Sequence, residues 1–380
     1  MAASTLRRNL HVLAINAFHG GSHRQFLSSV LRLSRHRWTL VEGKPVHWKW
    51  RMRSAPLELS IAASESVSTV GNPDVIFCTD MLDLPTWRGL MRSRIQQTPT
   101  AIYFHENQWT YPIAAHSRPD AHFGYTNLLS AIASDACWFN SQFHLRDFLQ
   151  ASESFIRRMP DARAIHDLDA LSTKCKVIYP GFDPMRIADD GCSNSLASAH
   201  DSDSVLRIGW VSRWEQDKRP DRFADLLDLL NAEGIAFKLL LLGPRPKAGS
   251  IDHARIIKQY GDQVEYDGFA ARDEYERQLQ KMDVVVSTAD HEFFGIAICE
   301  AIWAGAVPIL PNRLSYPELV PTVCLYDDLP SALCMIQSCM NPSRRRALSS
   351  QCRAFIAPMQ TDKVVQELDD SIDVLFAESH

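Results

Sequence analysis

No apolar run in the 380 residues approaches the ~20 that a membrane-spanning helix requires. The first apolar stretch, residues 10–17, is broken by Asn16 and followed by His19-Gly20-Gly21 instead of a small-residue cleavage site. It is expected to be a first strand and not a signal peptide. The nine cysteines form no C-x-x-C pair, which argues against a zinc knuckle or a disulfide framework. Their odd number, without an export signal, predicts reduced thiols in a cytoplasmic protein. Also missing are a Walker loop, a cluster with metal-ligand spacing and any internal repeat. What remains is 46% hydrophobic and 22% charged, the composition of a soluble globular chain. It is too long for one hydrophobic core and suits two domains.

The net charge of −5 conceals an asymmetry: residues 1–180 carry 20 Lys+Arg against 14 Asp+Glu, and the remainder 20 against 31. One half is basic and the other acidic, which suggests different partners. Short β-branched runs alternate with helix-period stretches, the mark of parallel α/β architecture. Strands are expected at 10–16, 74–78, 100–104, 136–140 and 176–179, then at 206–211, 237–242, 263–266, 283–287 and 307–310. Helices are expected at 24–34, 142–150, 220–233, 273–281, 295–304 and 362–376. Residues 189–204 are Ser/Asp-rich and aperiodic, a linker composition. The expected organisation is a doubly wound α/β domain at 1–188 and a linker at 189–204. A second doubly wound domain follows at 205–360, and a helix at 361–380 docks on either domain. The two α/β domains are expected to face each other across a cleft that holds the active site.

In the second half, His291-Glu292-Phe293-Phe294-Gly295-Ile296 follows a buried strand and opens a helix that contains Glu300. A glycine at that junction lets a ligand approach the backbone, and the amides and positive end of the helix favour a phosphate. Two carboxylates near the C-terminal edge of a parallel sheet can accept sugar hydroxyls. Alone, Glu292 can equally serve the helix dipole and Glu300 be a solvated mid-helix residue. Arg213 and Lys218 lie in the loop before the helix that starts at Pro220, and two cations there can neutralise a diphosphate.

Together these segments resemble the retaining nucleotide-sugar glycosyltransferases of two-Rossmann-domain (GT-B) type, with their E-x7-E motif at Glu292 and Glu300. The resemblance covers residues 205 to about 320. It implies that Arg213 and Lys218 hold the donor diphosphate, Glu292 the hexose hydroxyls and Glu300 the ribose. It also implies that Asp267-Gly268-Phe269 sits near the base, with Phe294, Gly295 and Ile296 lining the donor.

In the first half, Gly20, Gly21 and His23 follow the first strand, and Tyr103-Phe104-His105-Glu106-Asn107-Gln108-Trp109-Thr110-Tyr111-Pro112 follows a later one. Phe139-Asn140-Ser141-Gln142-Phe143-His144 and Tyr179-Pro180-Gly181-Phe182-Asp183 end two more. With these, nearly the whole chain resembles the tRNA-queuosine alpha-mannosyltransferases. That resemblance implies GDP-mannose as donor and the cyclopentenediol of queuosine, at the tRNA wobble position, as acceptor. It implies a sugar contact for His105, donor contacts for Gly20 and Gly21, and acceptor contacts for His23, Glu106 and Asn107. By themselves the glycines can be turn residues and His105 a backbone-satisfying imidazole.

A tRNA acceptor should leave an electrostatic trace. Residues 24–53 hold eight Lys+Arg, among them Arg35, Arg37, Lys44, Lys49, Arg51 and Arg53, against Glu42 as the lone acid. Trp38, Trp48 and Trp50 are interleaved and can stack on unpaired bases, or be buried under a loop. Arg88, Arg92 and Arg94 add a second cluster. The expected enzyme needs no metal and no cofactor. Two competing readings are a bacterial enzyme building a lipid-linked or extracellular glycan, and a non-catalytic nucleotide-sugar or RNA-binding module. The first would use residues 24–37, with Phe26, Leu27, Val30, Leu31 and Leu33, as a basic membrane-docking helix.

Overall fold

The computed structural model describes residues 9–91, 95, 97–112, 120–161, 165–185, 205–246 and 250–379. Arg92, Arg94, Cys192 and the linker at 189–204 lie outside them. The chain forms two compact units, one of residues 1–181 with 361–380 and one of residues 182–360.

The first unit is a six-stranded parallel sheet: β1 (His11–Asn16), β2 (Arg37–Glu42), β3 (Val75–Thr79), β4 (Thr100–Phe104), β5 (Ala136–Phe139) and β6 (Cys175–Val177), in the order β2-β1-β3-β4-β5-β6. β1, β3 and β4 are buried along their whole length, as strands covered on both faces must be, which is why they read as continuous apolar runs. One face carries α1 (Gly21–Leu33) and the other α2 (Trp48–Val70), α3 (Leu84–Met91), α4 (Ala121–Ala133), α5 (Gln142–Arg157) and α6 (Ile165–Thr173). Ile15, Trp87, Phe104, Phe139 and Phe148 fill the core under the larger helix set.

The second unit has β7 (Leu206–Val211), β8 (Phe237–Leu242), β9 (Val264–Gly268), β10 (Val284–Val286), β11 (Val307–Pro311) and β12 (Leu325–Tyr326), all parallel, in the order β12-β11-β10-β7-β8-β9. Its helices are α7 (Pro220–Ala232), α8 (Ile251–Tyr260), α9 (Arg272–Gln280), α10 (Ile296–Ala304), α11 (Tyr316–Leu319), α12 (Leu329–Ser338) and α13 (Pro342–Ile356).

The last helix, α14 (Thr361–Glu378), belongs to the first unit. Val364, Val365, Leu368 and Ile372 pack beside Phe26, Val30 and Phe77 on the α1 face of its sheet. Each such fully buried side chain contributes roughly 1.5–3 kcal/mol. No described helix is long and apolar enough to cross a membrane.

Several elements fall outside the sequence-derived set, among them α3, α4, α6, α8, α12, α13 and β12; two others, β2 and α2, rearrange the basic stretch. β2 is an edge strand with charged ends and a half-exposed middle, so it lacks the apolar run that marks its neighbours. α2 runs 23 residues straight through Pro56, whose buried ring packs into the core and overrides its helix-breaking tendency. β2 separates the basic stretch into two groups. Arg35 precedes the strand and Arg37 begins it, and Lys44 and Lys49 follow its opposite end, roughly 20 Å away at the usual rise per residue.

Candidate functional site

In an open parallel sheet, the loops at the C-terminal ends of the strands share one edge, and ligands bind where the strand order reverses. In the second unit that point lies between β7 and β10, because β7 leads outward to β8 and β10 leads to β11 on the other side. Lys218 follows β7, and the loop carrying Glu292 and Gly295 follows β10. The fold therefore joins two motifs separated by more than 70 residues.

Lys218 Nζ donates to the His291 carbonyl at 2.7 Å and to Glu292 Oε2 at 3.3 Å, and pairs with Asp217 at 3.3 Å. Burial alone would pull the ammonium pKa down. Glu292 and Asp217 more than offset this and hold it above the ordinary lysine value. The group is a fixed cation. Its loop is tied down by Thr288, whose hydroxyl donates to the carbonyls of Lys218 and Arg219 at 3.0 and 2.8 Å.

Gly295 caps α10 at φ +104, with no side-chain cap on the helix N-terminus. The backbone there is left-handed, so replacing Gly295 by alanine is expected to destabilise the protein by ~1–2 kcal/mol, read from its thermal midpoint. Phe294 is buried, leaving only its backbone for a ligand, whereas Ile296 at the start of α10 is half-exposed. Glu300 lies one E-x7-E repeat on and is 5% exposed. Its oxygens accept from Arg272 at 2.7 Å and from Tyr275 at 2.9 Å, both on α9. A carboxylate so braced keeps its orientation, with lone pairs left for a ribose.

Arg213 does not join this group in the structure. It is 54% exposed and pairs with Glu215 at 3.1 Å. Gly268 ends β9 at φ +135, and Phe269 beyond it is 78% exposed. Beside them Arg245 donates to Asp267 Oδ2 at 2.8 Å.

In the first unit the order reverses between β1 and β3. Gly20 caps α1 there without a side-chain bond, and no acid occupies the first turn. A Cβ on Gly20 would meet Pro45 Cβ at 2.5 Å, so its glycine is required by the packing of the loop after β2. Gly21 adopts φ +53. His105 follows β4 and is 4% exposed, its carbonyl held by the Asn140 amide at 2.8 Å. Glu106 is half-exposed beside it, bonded through Oε2 to the Gln108 amide at 3.3 Å.

Five acceptor assignments change in the structure. His23 is 3% exposed and its ring lies tilted against that of His105, so it lies beneath the surface on which an RNA could rest. Asn107 is fully buried. Its amide donates to Asp147 at 2.7 Å and its oxygen accepts the Trp109 N–H at 3.1 Å, so its polar groups hold the loop. Arg35 is engaged by Asp370 at 2.8 Å and by Asp373, and its backbone N–H donates to Asp369, all on α14. Trp38 turns its edge to Phe77 and donates Nε1–H to Ser34 at 2.7 Å. Arg37 is exposed but sits at the start of β2, at the sheet edge opposite Gly20 and His105.

Lys49 lies after the C-terminal end of β2, exposed, with Lys44, Trp50 (61% exposed) and Arg53. The first turns of α2 thus carry Lys49, Arg51 and Arg53 and no acid, against the preference of a helix N-terminus for negative charge. The membrane-docking alternative loses its apolar face. Phe26, Leu27 and Val30 are at most 2% exposed in the core, and only Leu31 and Leu33 reach solvent.

Sequence reasoning missed Arg272, Tyr275, Asp290 and Asp80. Asp290 gathers Arg219, Arg222 and Arg313 around one carboxylate. Asp80 alone left a trace, as an acid closing the buried run Val75-Ile76-Phe77-Cys78-Thr79.

Residues 11–182 match the family model described as tRNA-queuosine alpha-mannosyltransferase N-terminal, and residues 200–321 the model described as Glycosyl transferases group 1. A Drosophila melanogaster protein named tRNA-queuosine alpha-mannosyltransferase is 32% identical over 320 residues, covering 83% of this chain and 83% of its own. Among solved structures, Anabaena HepE in complex with UDP and glucose superposes with a TM-score of 0.66 at 15% identity, covering 96% of this chain and all of that one. The Candida albicans trehalose-6-phosphate phosphatase N-terminal domain gives 0.70 at 12% identity, over 97% and 98%. At such identities the likeness shows the fold alone, two Rossmann-like units of the GT-B class.

Proposed function

The chain belongs to the tRNA-queuosine alpha-mannosyltransferase family, and from that premise we propose that it transfers mannose from GDP-mannose to the cyclopentenediol of queuosine in tRNA, with retention of configuration. The observation that carries this reading is the Lys218–Glu292 pair beside the uncapped N-terminus of α10. Breaking the bond between mannose and diphosphate builds negative charge on the departing phosphate. A fixed ammonium and a row of helix amides meet that charge without reorganising, which is where most of such a barrier is lowered. Glu292 binds the hexose, Glu300 the ribose, and the loop at Gly268 and Phe269 the base. His105 is assigned to the sugar.

Cationic and amide donors suffice here in place of a divalent ion. Activity is expected to survive EDTA, and loss with EDTA that added metal restores would overturn this point. Glu300→Gln is expected to raise KM for the donor ~10-fold through one weakened charge-assisted contact, with little effect on kcat. Glu292→Gln should instead lower kcat and blur discrimination between mannose and glucose donors, since its contact is to the sugar.

The acceptor is a tRNA held at the basic start of α2, where Lys44, Lys49 and Arg53 meet phosphates and Trp50 stacks on an unpaired base. This reading puts the protein in the cytoplasm, with nucleotide sugar and tRNA as its partners. The decisive experiment incubates the protein with labelled GDP-mannose and total tRNA from queuosine-containing and queuosine-deficient cells. Label should enter only the first. Label in both, or transfer from UDP-glucose alone, would sink the assignment.

A further inference from the structure

Where β1 and β3 diverge in the first unit, four buried polar atoms have no hydrogen-bond partner: both ring nitrogens of His23, Nε2 of His105 and Oδ1 of Asp80. Folded interiors leave few such groups unpaired, and four at one spot on a ligand-binding edge mark a working site. Asp80 is fully buried. Its Oδ2 accepts the Glu106 N–H at 3.0 Å, and its carbonyl accepts from the Asn127 amide at 2.6 Å. The carboxyl is thereby fixed, and Oδ1 is left 3.8 Å from His23 Nδ1. The His23 ring lies against the His105 ring, centroids 4.1 Å apart. Phe26 and Tyr103 close on His105 at 5.4 and 4.7 Å, so the imidazole has little freedom to turn.

Burial disfavours charge on all three groups. Desolvation, helped by neighbouring imidazoles, lowers His23 to about 3 and His105 well below its usual value. Desolvation and the nearby Glu106 raise Asp80 well above the carboxylate range. Both imidazoles are therefore neutral near pH 7, and each must carry its hydrogen on one nitrogen only.

We propose that Asp80 is a positioning residue for sugar transfer, fixing through His23 which nitrogen of His105 carries the hydrogen at the sugar. The proposal rests on the glycosyltransferase reading in taking His105 as the group that meets the donor. At 3.8 Å, Asp80 Oδ1 and His23 Nδ1 are not hydrogen-bonded; closing that gap lets the carboxyl proton on Oδ1 be donated to His23 Nδ1, which leaves the His23 hydrogen on Nε2. The ring contact then favours the His105 tautomer that avoids facing lone pairs or facing hydrogens. No proton leaves the cluster, and no bond in the substrate is made or broken by it.

Asp80→Asn retains an oxygen for the Glu106 N–H and nearly the same volume, but its amide alters what His23 meets. Nitrogen-15 NMR of the imidazoles should show changed tautomers for His23 and His105. The kcat should fall about 10- to 100-fold, the usual effect of removing an orienting partner, with KM for GDP-mannose within twofold of wild type. His23→Phe serves as the second variant. It removes two unpaired buried nitrogens, so it should unfold at a higher temperature than wild type while kcat falls by a similar factor. Stability rising as turnover falls is a result that a merely structural role does not give. Unchanged imidazole resonances in Asp80→Asn, or wild-type kcat in either variant, would overturn the proposal. A wild-type protein that transfers no sugar would instead remove the glycosyltransferase reading, and the imidazole resonances would still decide whether Asp80 sets the tautomers.

Discussion

Replacing Lys218 by alanine is expected to cut kcat for mannosyl transfer about 100- to 1000-fold, the range for losing one fixed donor to a developing negative charge. The side chain is 12% exposed and spans the loops after β7 and β10, where it pairs with Glu292. Removing it also leaves Glu292 and Asp217 without their shared counter-ion, which repels the donor phosphates. Arg213→Ala should cost only about tenfold, because that guanidinium stands in water and pairs with Glu215 there. Steady-state kinetics of the two variants, with thermal midpoints as controls, test the ranking. The reverse order would transfer the central role to Arg213. Lys218 has a pKa above the ordinary lysine value, so its charge persists as pH rises and is lost only above ~10.5. A basic limb between pH 7 and 9 that Lys218→Ala abolishes would contradict this assignment.

Reversing Lys44, Lys49 and Arg53 to glutamate together should abolish transfer to tRNA while leaving GDP-mannose binding intact. Each lost phosphate contact flattens the log–log salt dependence of tRNA affinity by ~0.7–0.9, so the triple variant should lose about 2–3 from the slope. Folding should not suffer, because negative charge in the first turns of α2 suits the helix dipole better than the native cations do. Trp50→Ala should weaken binding by ~1–3 kcal/mol if its ring stacks on a base. Arg35→Glu is the internal contrast. It breaks the pairs with Asp370 and Asp373 and should lower the melting temperature without changing the salt slope. Wild-type tRNA affinity in the triple variant would move the acceptor surface elsewhere.

Much of the donor half is local, and so it is readable from sequence. Glu292, Gly295 and Glu300 lie within nine residues on one strand–loop–helix unit, and Lys218 sits at a similar junction. Their chemistry and spacing are set by backbone periodicity, which one sequence records. The bracing of Glu300 by Arg272 and Tyr275 was not readable, because no pattern in α9 reports which element it packs against.

In the first half, charge counting along the chain gave one basic stretch where the molecule has two separate groups. An edge strand with a half-exposed middle carries too little hydrophobic signal to reveal that β2 divides them. Arg35 and Trp38 are consumed by α14 and the core, in contacts with residues far along the chain that no local pattern encodes.

The sequence by itself determined the α/β class, the strands buried on both faces and the donor motifs, since these follow from hydrophobic periodicity and fixed spacing. Only the tertiary structure decided which cations remain available and which histidines are buried. It alone brought Asp80 beside His23 and His105. Such pairings depend on strand order, and strand order is a property of the folded sheet that no single segment carries.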